Sequence, residues 1–431
     1  MATLLEQAKQ GKIPEQIKMV AEKESKTPET VRSALIEGLI VVPANKQRSK
    51  REFNAFGKGL KTKVSASIGT SKGSTDFKVE LEKSKIAEEA GAHALMDLSL
   101  GGDLRHNRIQ LLNNTRLPVG TLPNYETFVT GSETKGILNL TSDEFLESIE
   151  DQAKDGVDFM GLHSAMTLKT LQIAQAQGRT TDLVSWGGSL MAGWMLHHGQ
   201  ENPLFARFDE ILEIARTYDV TLSLADGLRP GSIADSLDRA QIQELVLLGE
   251  LVDRARRADV QIMIKGPGHA PFHHIRATVQ LMKQVCHGAP YFVFGPIVTD
   301  IAPGFDHITA AIGGATAGAA GADLLCYVTP AEHVRFPSKE DVYQGVMASR
   351  IAAHIADLNK DFEIASKWDK AMSENRNPWN LLKQKALALA PQELAKEAEA
   401  SMEGLPQCER CGEACSMKVV TQYFGKPPAC C

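Results

Sequence analysis

Between residues 62 and 330 one pattern recurs: a short apolar run that ends on or beside a polar residue, followed by a stretch with helical spacing. The runs are Lys63–Ile68, His93–Ser99, Leu117–Leu122, Val157–His163, Asp182–Gly187, Val220–Asp226, Val260–Lys265, Tyr291–Gly295 and Asp323–Thr329. Between two of them, Leu204, Phe208, Ile211 and Ile214 fall near one helical face. Strands separated by helices pair in parallel, because a parallel neighbour is reached only by a long crossover. About 270 residues of this alternation predict an α/β fold of the (β/α)8 barrel type. Nine runs compete for eight places, so one of them lies outside the barrel.

In such a barrel the polar ends of the runs matter most. Ser67, Asp97, Thr121, His163, Ser185, Asp226, Lys265 and Thr329 stand at or just before those ends, where barrel enzymes build their active sites. One polar strand end is ordinary; eight predict a site. Three glycine-rich turns lie beside them, Leu98–Asp103, Ser185–Ser189 and Asp226–Ser232. Backbone amides beside Arg229 suit a phosphate. Glycine is expected in any strand-to-helix loop, however, and neither a dinucleotide fingerprint nor a Walker A string accompanies these turns.

Residues 1–60 are charged and helical in pattern and predict a small N-terminal helical segment, with Thr27 as an N-cap and Pro28 in the first turn. The catalytic barrel is expected over 61–337, and C-terminal helices over 338–404, opening on Ser338 with Asp341 in the capping-box place. A cysteine-rich tail occupies 405–431. The 47 Lys and Arg against 53 Asp and Glu give a formal charge of −6, which leaves no cationic excess for a nucleic-acid surface. The longest uncharged run, 183–200, has 18 residues but contains four Gly and two His, and falls short of a membrane span. The N-terminal residues lack a basic and then apolar leader, so the expected location is the cytoplasm.

Cys408, Cys411 and Cys415 fall within eight residues of that tail, with Cys430 and Cys431 beyond them. Three thiolates so spaced fit three corners of a [4Fe-4S] cube with one iron left open. They equally fit a zinc knuckle closed by Cys430 or Cys431, which would be structural. His269 and His333 each follow the end of a run. A single loop histidine is usually just a satisfied polar residue, but two at equivalent strand ends make a plausible divalent-metal site.

Taken together, the strings ALMDLSLGGDL, VGTLPNYET, SWGGSLMAGWM, ENPLFARFDEILEIARTYDVTLSLADGLRPGSIAD, GPGHAP, FGPIVTDIAPGFDHITAAIGGA and LLCYVTPAEH resemble the radical S-adenosylmethionine (SAM) enzymes of the phosphomethylpyrimidine synthase family. The likeness covers roughly residues 60–340 and the cysteine tail. It implies a barrel lyase acting on 5-aminoimidazole ribotide, with a SAM-binding [4Fe-4S] cluster on Cys408, Cys411 and Cys415. It also implies an electron donor, zinc or another divalent metal on His269 and His333, and a homodimer whose cluster tails reach the partner subunit's barrel. Met96, Tyr125, His163, Ser185, Gly187, Asp226, Gly227, Leu228 and Arg229 match the family's substrate-binding positions. The implied chemistry is reductive cleavage of SAM to a 5'-deoxyadenosyl radical, which takes a hydrogen from the ribose and starts a rearrangement.

Several positions depart from the thiamin enzyme's pattern. Ser67 stands for Asn, Asn124 for Ile, Trp186 for Arg, Lys265 for Glu and Phe292 for Tyr, and the cysteine spacing is one residue shorter. These changes gather around the substrate, and they resemble the sister enzyme, 5-hydroxybenzimidazole synthase, which makes the lower-ligand base precursor of anaerobic cobamides from the same ribotide. Lys265 and Asp226 are then the expected catalytic groups, with Ser67, Trp186, Lys265 and Phe292 added to the substrate contacts. Against this stand a thiamin-pyrimidine synthase, a zinc-only barrel lyase and a non-enzymatic metal-binding protein.

Overall fold

The computed structural model describes residues 2–49, 51–376, 381–401 and 416–425. The chain divides into two compact units, Met1–Ala356 and Asp357–Cys431. The first contains a two-stranded antiparallel ribbon, β1 (Ile40–Val41) and β2 (Phe56–Gly57), followed by eight parallel strands closed into a barrel. These are β3 (Lys63–Ile68), β4 (Ala94–Asp97), β5 (Val119–Thr121), β6 (Phe159–Leu162), β7 (Thr221–Ala225), β8 (Ile262–Lys265), β9 (Tyr291–Phe294) and β10 (Leu324–Cys326). The barrel closes where β10 pairs with β3, Leu324 opposite Lys63 and Cys326 opposite Ser65. The (β/α)8 barrel read from the alternation is therefore the fold.

The run left over is Asp182–Gly187. β6 pairs directly with β7, Phe159 opposite Thr221, so no strand fits between them. The segment is instead the lead-in to helix Trp186–His198, whose N-cap Ser185 accepts from the Gly188 amide.

Side chains alternate across the barrel wall. Ala94, Met96, Phe159, Met263, Phe292, Leu324 and Cys326 form one interior cluster, joined by Val41 and Phe56 of the ribbon. The ribbon sits at the strands' N-terminal end, where the Gln261 side chain, just before β8, bonds both the amide and the carbonyl of Val42, at 2.7 and 3.2 Å. That end is a floor, and the polar strand ends form a mouth. Two of those ends do not face it. Asp97 and Thr121 share the parity of Leu95 and Val119, which pack in the layer between strands and helices. Thr121 Oγ1 donates to Gln152 Oε1 at 2.6 Å on helix Ser142–Asp155, and Asp97 accepts from the amide and hydroxyl of Ser99.

The N-terminal segment holds helices Leu4–Lys9, Glu15–Glu24 and Pro28–Ile36, with a small core of its own around Leu4, Ile17, Val20, Val31 and Leu35. Thr27 caps the third through the Thr30 amide, as its sequence predicts. Helix Lys339–Lys360 opens on the expected box: Ser338 N donates to Asp341 Oδ2 at 2.7 Å and Asp341 N to Ser338 Oγ at 3.2 Å. In the second unit, helices Phe362–Arg376, Leu381–Leu387, Pro391–Ser401 and Ser416–Phe424 are described, with Trp368 Nε1 donating to the Leu387 carbonyl at 2.6 Å. Cys408, Cys411, Cys415, Cys430 and Cys431 lie outside the described residues. Among the described residues no helix is long and apolar enough to cross a membrane.

Candidate active site

The mouth is organised around a chain of polar contacts that crosses three loops. Asn124 Nδ2 lies 3.2 Å from His163 Nδ1, His163 Nε2 lies 2.8 Å from Ser185 Oγ, and Arg229 Nη1 donates to the same oxygen at 3.3 Å. His163 is fully buried, and burial, reinforced by the charges of Arg229 and Lys265, pushes its pKa down to about 3. It is a neutral hydrogen-bonding spacer at physiological pH. Gly187 stands where nothing larger fits, since a Cβ there would meet Asn124 Nδ2 and Tyr125 at 2.7 Å and His163 at 2.9 Å. Trp186 packs edge-on against Tyr125 with centroids 4.7 Å apart, making an apolar wall.

Across the mouth, Asp226 follows β7 and Lys265 ends β8, in strands paired through Ala225 and Lys265. Lys265 lies over the Phe292 ring at 4.8 Å. Burial drives the two ionisations toward each other. Asp226 is pushed up to about 7 against the pull of Arg229 and Lys265, while burial lowers Lys265. Asp226 Oδ1 has no hydrogen-bond partner among the described residues, and Arg229 is 3.9 Å away. Arg229 also lies over Phe294 at 5.6 Å. Below, Ser67 Oγ is 3.5 Å from Cys326 Sγ, and Met96 and Phe292 line the interior cluster, with Tyr125 packed against it. All the described residues named from the sequence for substrate thus converge on one end of the barrel.

The two histidines meet at its edge. Their rings are 5.2 Å apart between centroids. His269 Nδ1 is 2.6 Å from Asp300 Oδ1, and His333 Nδ1 is 2.8 Å from Asp306 Oδ1. A carboxylate on Nδ1 holds the proton there and leaves each Nε2 with its lone pair, the tautomer a metal requires. Burial alone would raise Asp300, but hydrogen bonds from His269, the Ile233 amide and Ser232 hold it below the usual range. No group of three or more His, Cys, Asp or Glu side chains gathers among the described residues, so two imidazoles could hold a metal only with ligands from elsewhere.

Sequence reasoning passed over Asp300, Asp306 and Glu244. The first two sit in a string quoted for its likeness, on the one connection from β9 into helix Asp306–Ala320, which reaches both histidines. Glu244, on helix Arg239–Arg257, accepts from the Gly227 amide at 2.8 Å and the Leu228 amide at 3.0 Å.

The profile of the Radical SAM ThiC family matches residues 3–422. The chain belongs to that family. A phosphomethylpyrimidine synthase of Desulforamulus reducens is 52% identical over 426 residues, covering 98% of this chain and 99% of its own. Its counterpart in Moorella thermoacetica is 49% identical over 431 residues, all of both chains, and one from Dehalococcoides mccartyi is 48% identical over 98% of each. Among solved structures, the dihydropteroate synthase of Yersinia pestis aligns over 73% of this chain and 98% of its own at 11% identity and a TM-score of 0.42, a likeness too slight to inform the site.

Membership makes this a radical SAM enzyme, which works with a [4Fe-4S] cluster and SAM. The donor chemistry fits. Cys286 and Cys326, the cysteines among the described residues, are buried singly and unpaired, and burial pushes their thiols up, that of Cys286 to about 12, so neither offers a thiolate. The other five cysteines, Cys408, Cys411, Cys415, Cys430 and Cys431, lie outside the described residues.

Proposed function

We propose that the chain is a phosphomethylpyrimidine synthase, rearranging 5-aminoimidazole ribotide into the thiamin pyrimidine. The observation that carries this is the near-half identity, over whole chains, to proteins of that name. Those same relatives leave 5-hydroxybenzimidazole, the product first drawn from the sequence departures, as the second reading. One observation favours it: the departing residues meet one another or the substrate positions at the mouth, Asn124 against His163, Trp186 against Tyr125, Lys265 over Phe292.

In either reading a [4Fe-4S] cluster and SAM, when bound, would supply the radical chemistry that begins at the ribose. The rest falls to this chain's residues. Arg229 and the backbone over Ser185–Gly187 bind the phosphate, and Asp226 holds ribose hydroxyls. Met96, Tyr125, Trp186 and Phe292 exclude water, and Ser67, Gly227 and Leu228 complete the cradle. Asp226 and Lys265, with ionisations displaced from opposite sides, each give or take a proton at the substrate bound beside them. His269 and His333 would hold zinc or another divalent cation through their Nε2 atoms, and that cation would supply a Lewis-acid charge at the edge of the mouth. The protein functions in the cytoplasm as a homodimer with exchanged tails and draws electrons from a separate donor.

Anaerobically reconstituted protein given ribotide, SAM and reductant should yield the phosphomethylpyrimidine. Formation of 5-hydroxybenzimidazole as sole product would overturn the first reading in favour of the second. Cys411→Ala should abolish SAM cleavage; activity surviving it would point to a zinc-only lyase, and a colourless reconstituted protein without SAM cleavage to a metal-binding protein.

A further inference from the structure

Arg229 and Asp226 flank two residues, Gly227 and Leu228, whose amides both point away from the mouth into the side chain of Glu244. That carboxyl is 1% exposed and comes from helix Arg239–Arg257, behind the loop. From the other side Arg179 donates to the Leu228 carbonyl at 2.7 Å, itself held by Asp238. Gly188, in the first turn of helix Trp186–His198, seats directly on the same peptide: a Cβ there would lie 2.8 Å from the Gly227 carbonyl oxygen. We infer that Glu244 is a positioning residue for anion recognition, fixing the two peptides that aim Asp226 and Arg229 and that seat the Ser185–Gly188 turn against them. The inference rests on the ribotide reading for its substrate.

The physical requirement is two acceptors at one place. Each of the two amides is costly to leave buried without a partner. The loop would therefore turn its peptides to find others, and either rotation displaces the flanking side chains. Ionised or protonated, a carboxyl offers an acceptor lone pair on each oxygen. A carboxamide offers one acceptor and presents N–H groups to the second amide. Burial and the neighbouring Asp226 push Glu244 up to about 8 even with both amides donating, so the group is held there at an electrostatic cost. Glu80 does the same for the loop after β3, accepting from the Gly69 amide at 2.8 Å, but Lys83 neutralises it at 2.7 Å.

The test uses full-length, anaerobically reconstituted protein with 5-aminoimidazole ribotide. Glu244→Gln should lower kcat/KM at least tenfold, most of it through KM, and Glu244→Asp, one methylene short but with both oxygens, should fall between it and the wild type. Leu248→Ala, one turn further along the same helix and buried in the main core, should lower Tm and leave KM unchanged. An unaltered KM in Glu244→Gln overturns the inference, as does an equal rise in Leu248→Ala. If Glu244→Gln is insoluble, the Asp variant carries the same comparison. A wild type that neither binds nor turns over ribotide would sink the substrate reading instead; the inference is then judged by phosphorus NMR titration of the same variants with inorganic phosphate, where equal affinity for wild type and Glu244→Gln overturns it.

Discussion

The floor and the mouth of the barrel treat a buried carboxylate in opposite ways. At the floor, Asp158, just before β6, is wholly buried and surrounded by donors: Arg48, Arg51 at 2.9 Å and the Val119 amide at 2.9 Å. Arg48 goes on to the carbonyls of Leu117 and Thr115, at 2.9 and 2.6 Å, tying the lead-in of β5 to the same centre. At the mouth, Asp226, just after β7, is almost as buried, yet one oxygen has no partner among the described residues and its nearest cation stands 3.9 Å off. A buried charge without full compensation opposes folding. At the floor the protein itself satisfies both oxygens of the carboxylate; at the mouth it leaves one of them open.

Two substitutions to Asn should separate these roles. Asp226→Asn should lower kcat by about 10²–10⁴-fold, the range for loss of a general acid or base, while leaving the urea midpoint of unfolding within error or raising it. Asp158→Asn should do the reverse, costing about 3–5 kcal/mol because two buried guanidinium groups lose their counter-charge, with KM unchanged in the folded fraction. If both variants lost stability equally, the contrast between floor and mouth would be gone.

The same contrast has a pH signature. Asp226 and Glu244 are held up to about 7 and about 8, above their ordinary 3.8 and 4.5, chiefly by burial. A carboxyl raised on folding binds its proton more tightly in the folded than in the unfolded state. Its contribution to stability is therefore complete below the unfolded value, near pH 4, and is lost as pH rises through the folded value. Between pH 5 and pH 8 these two carboxyls should pull the urea midpoint down, against the rise that lowered His163 contributes up to about pH 6.5, and Asp226→Asn should remove the Asp226 share of that pull. An unchanged pull would place the compensation for Asp226 inside the protein after all.

How much of this was legible in the sequence depends on the distance between partners. The barrel was, because alternation is a local property, and so were the two histidines and the Asp226–Arg229 turn, each written in consecutive residues. The parity of a strand end was not. A run that closes on a polar residue fixes no phase, so Asp97 and Thr121 read as mouth groups although Leu95 and Val119 carry them outward. Asp182–Gly187 read as a strand because its ends are polar and its middle apolar, and only the β6–β7 pairing excludes it. The supporting carboxylates were least legible. Asp300 stands 31 residues from His269, Asp306 27 from His333 and Glu244 17 from Gly227, and no local spacing announces a contact made by folding.

The parity argument carries the smallest of the expected effects. Thr121→Val keeps the shape of the side chain and removes the hydroxyl that Gln152 Oε1 accepts from. Gln152 is buried and its amide nitrogen remains bound to Glu126 at 2.5 Å, so its oxygen is left without that donor. The loss should be about 1–2 kcal/mol in the urea midpoint. Because the hydroxyl faces the helix layer, KM for the ribotide should stay at the wild-type value. A tenfold change in KM with no loss of stability would return Thr121 to the mouth, and would mean that β5 presents its last residue inward, against the alternation that Val119 sets.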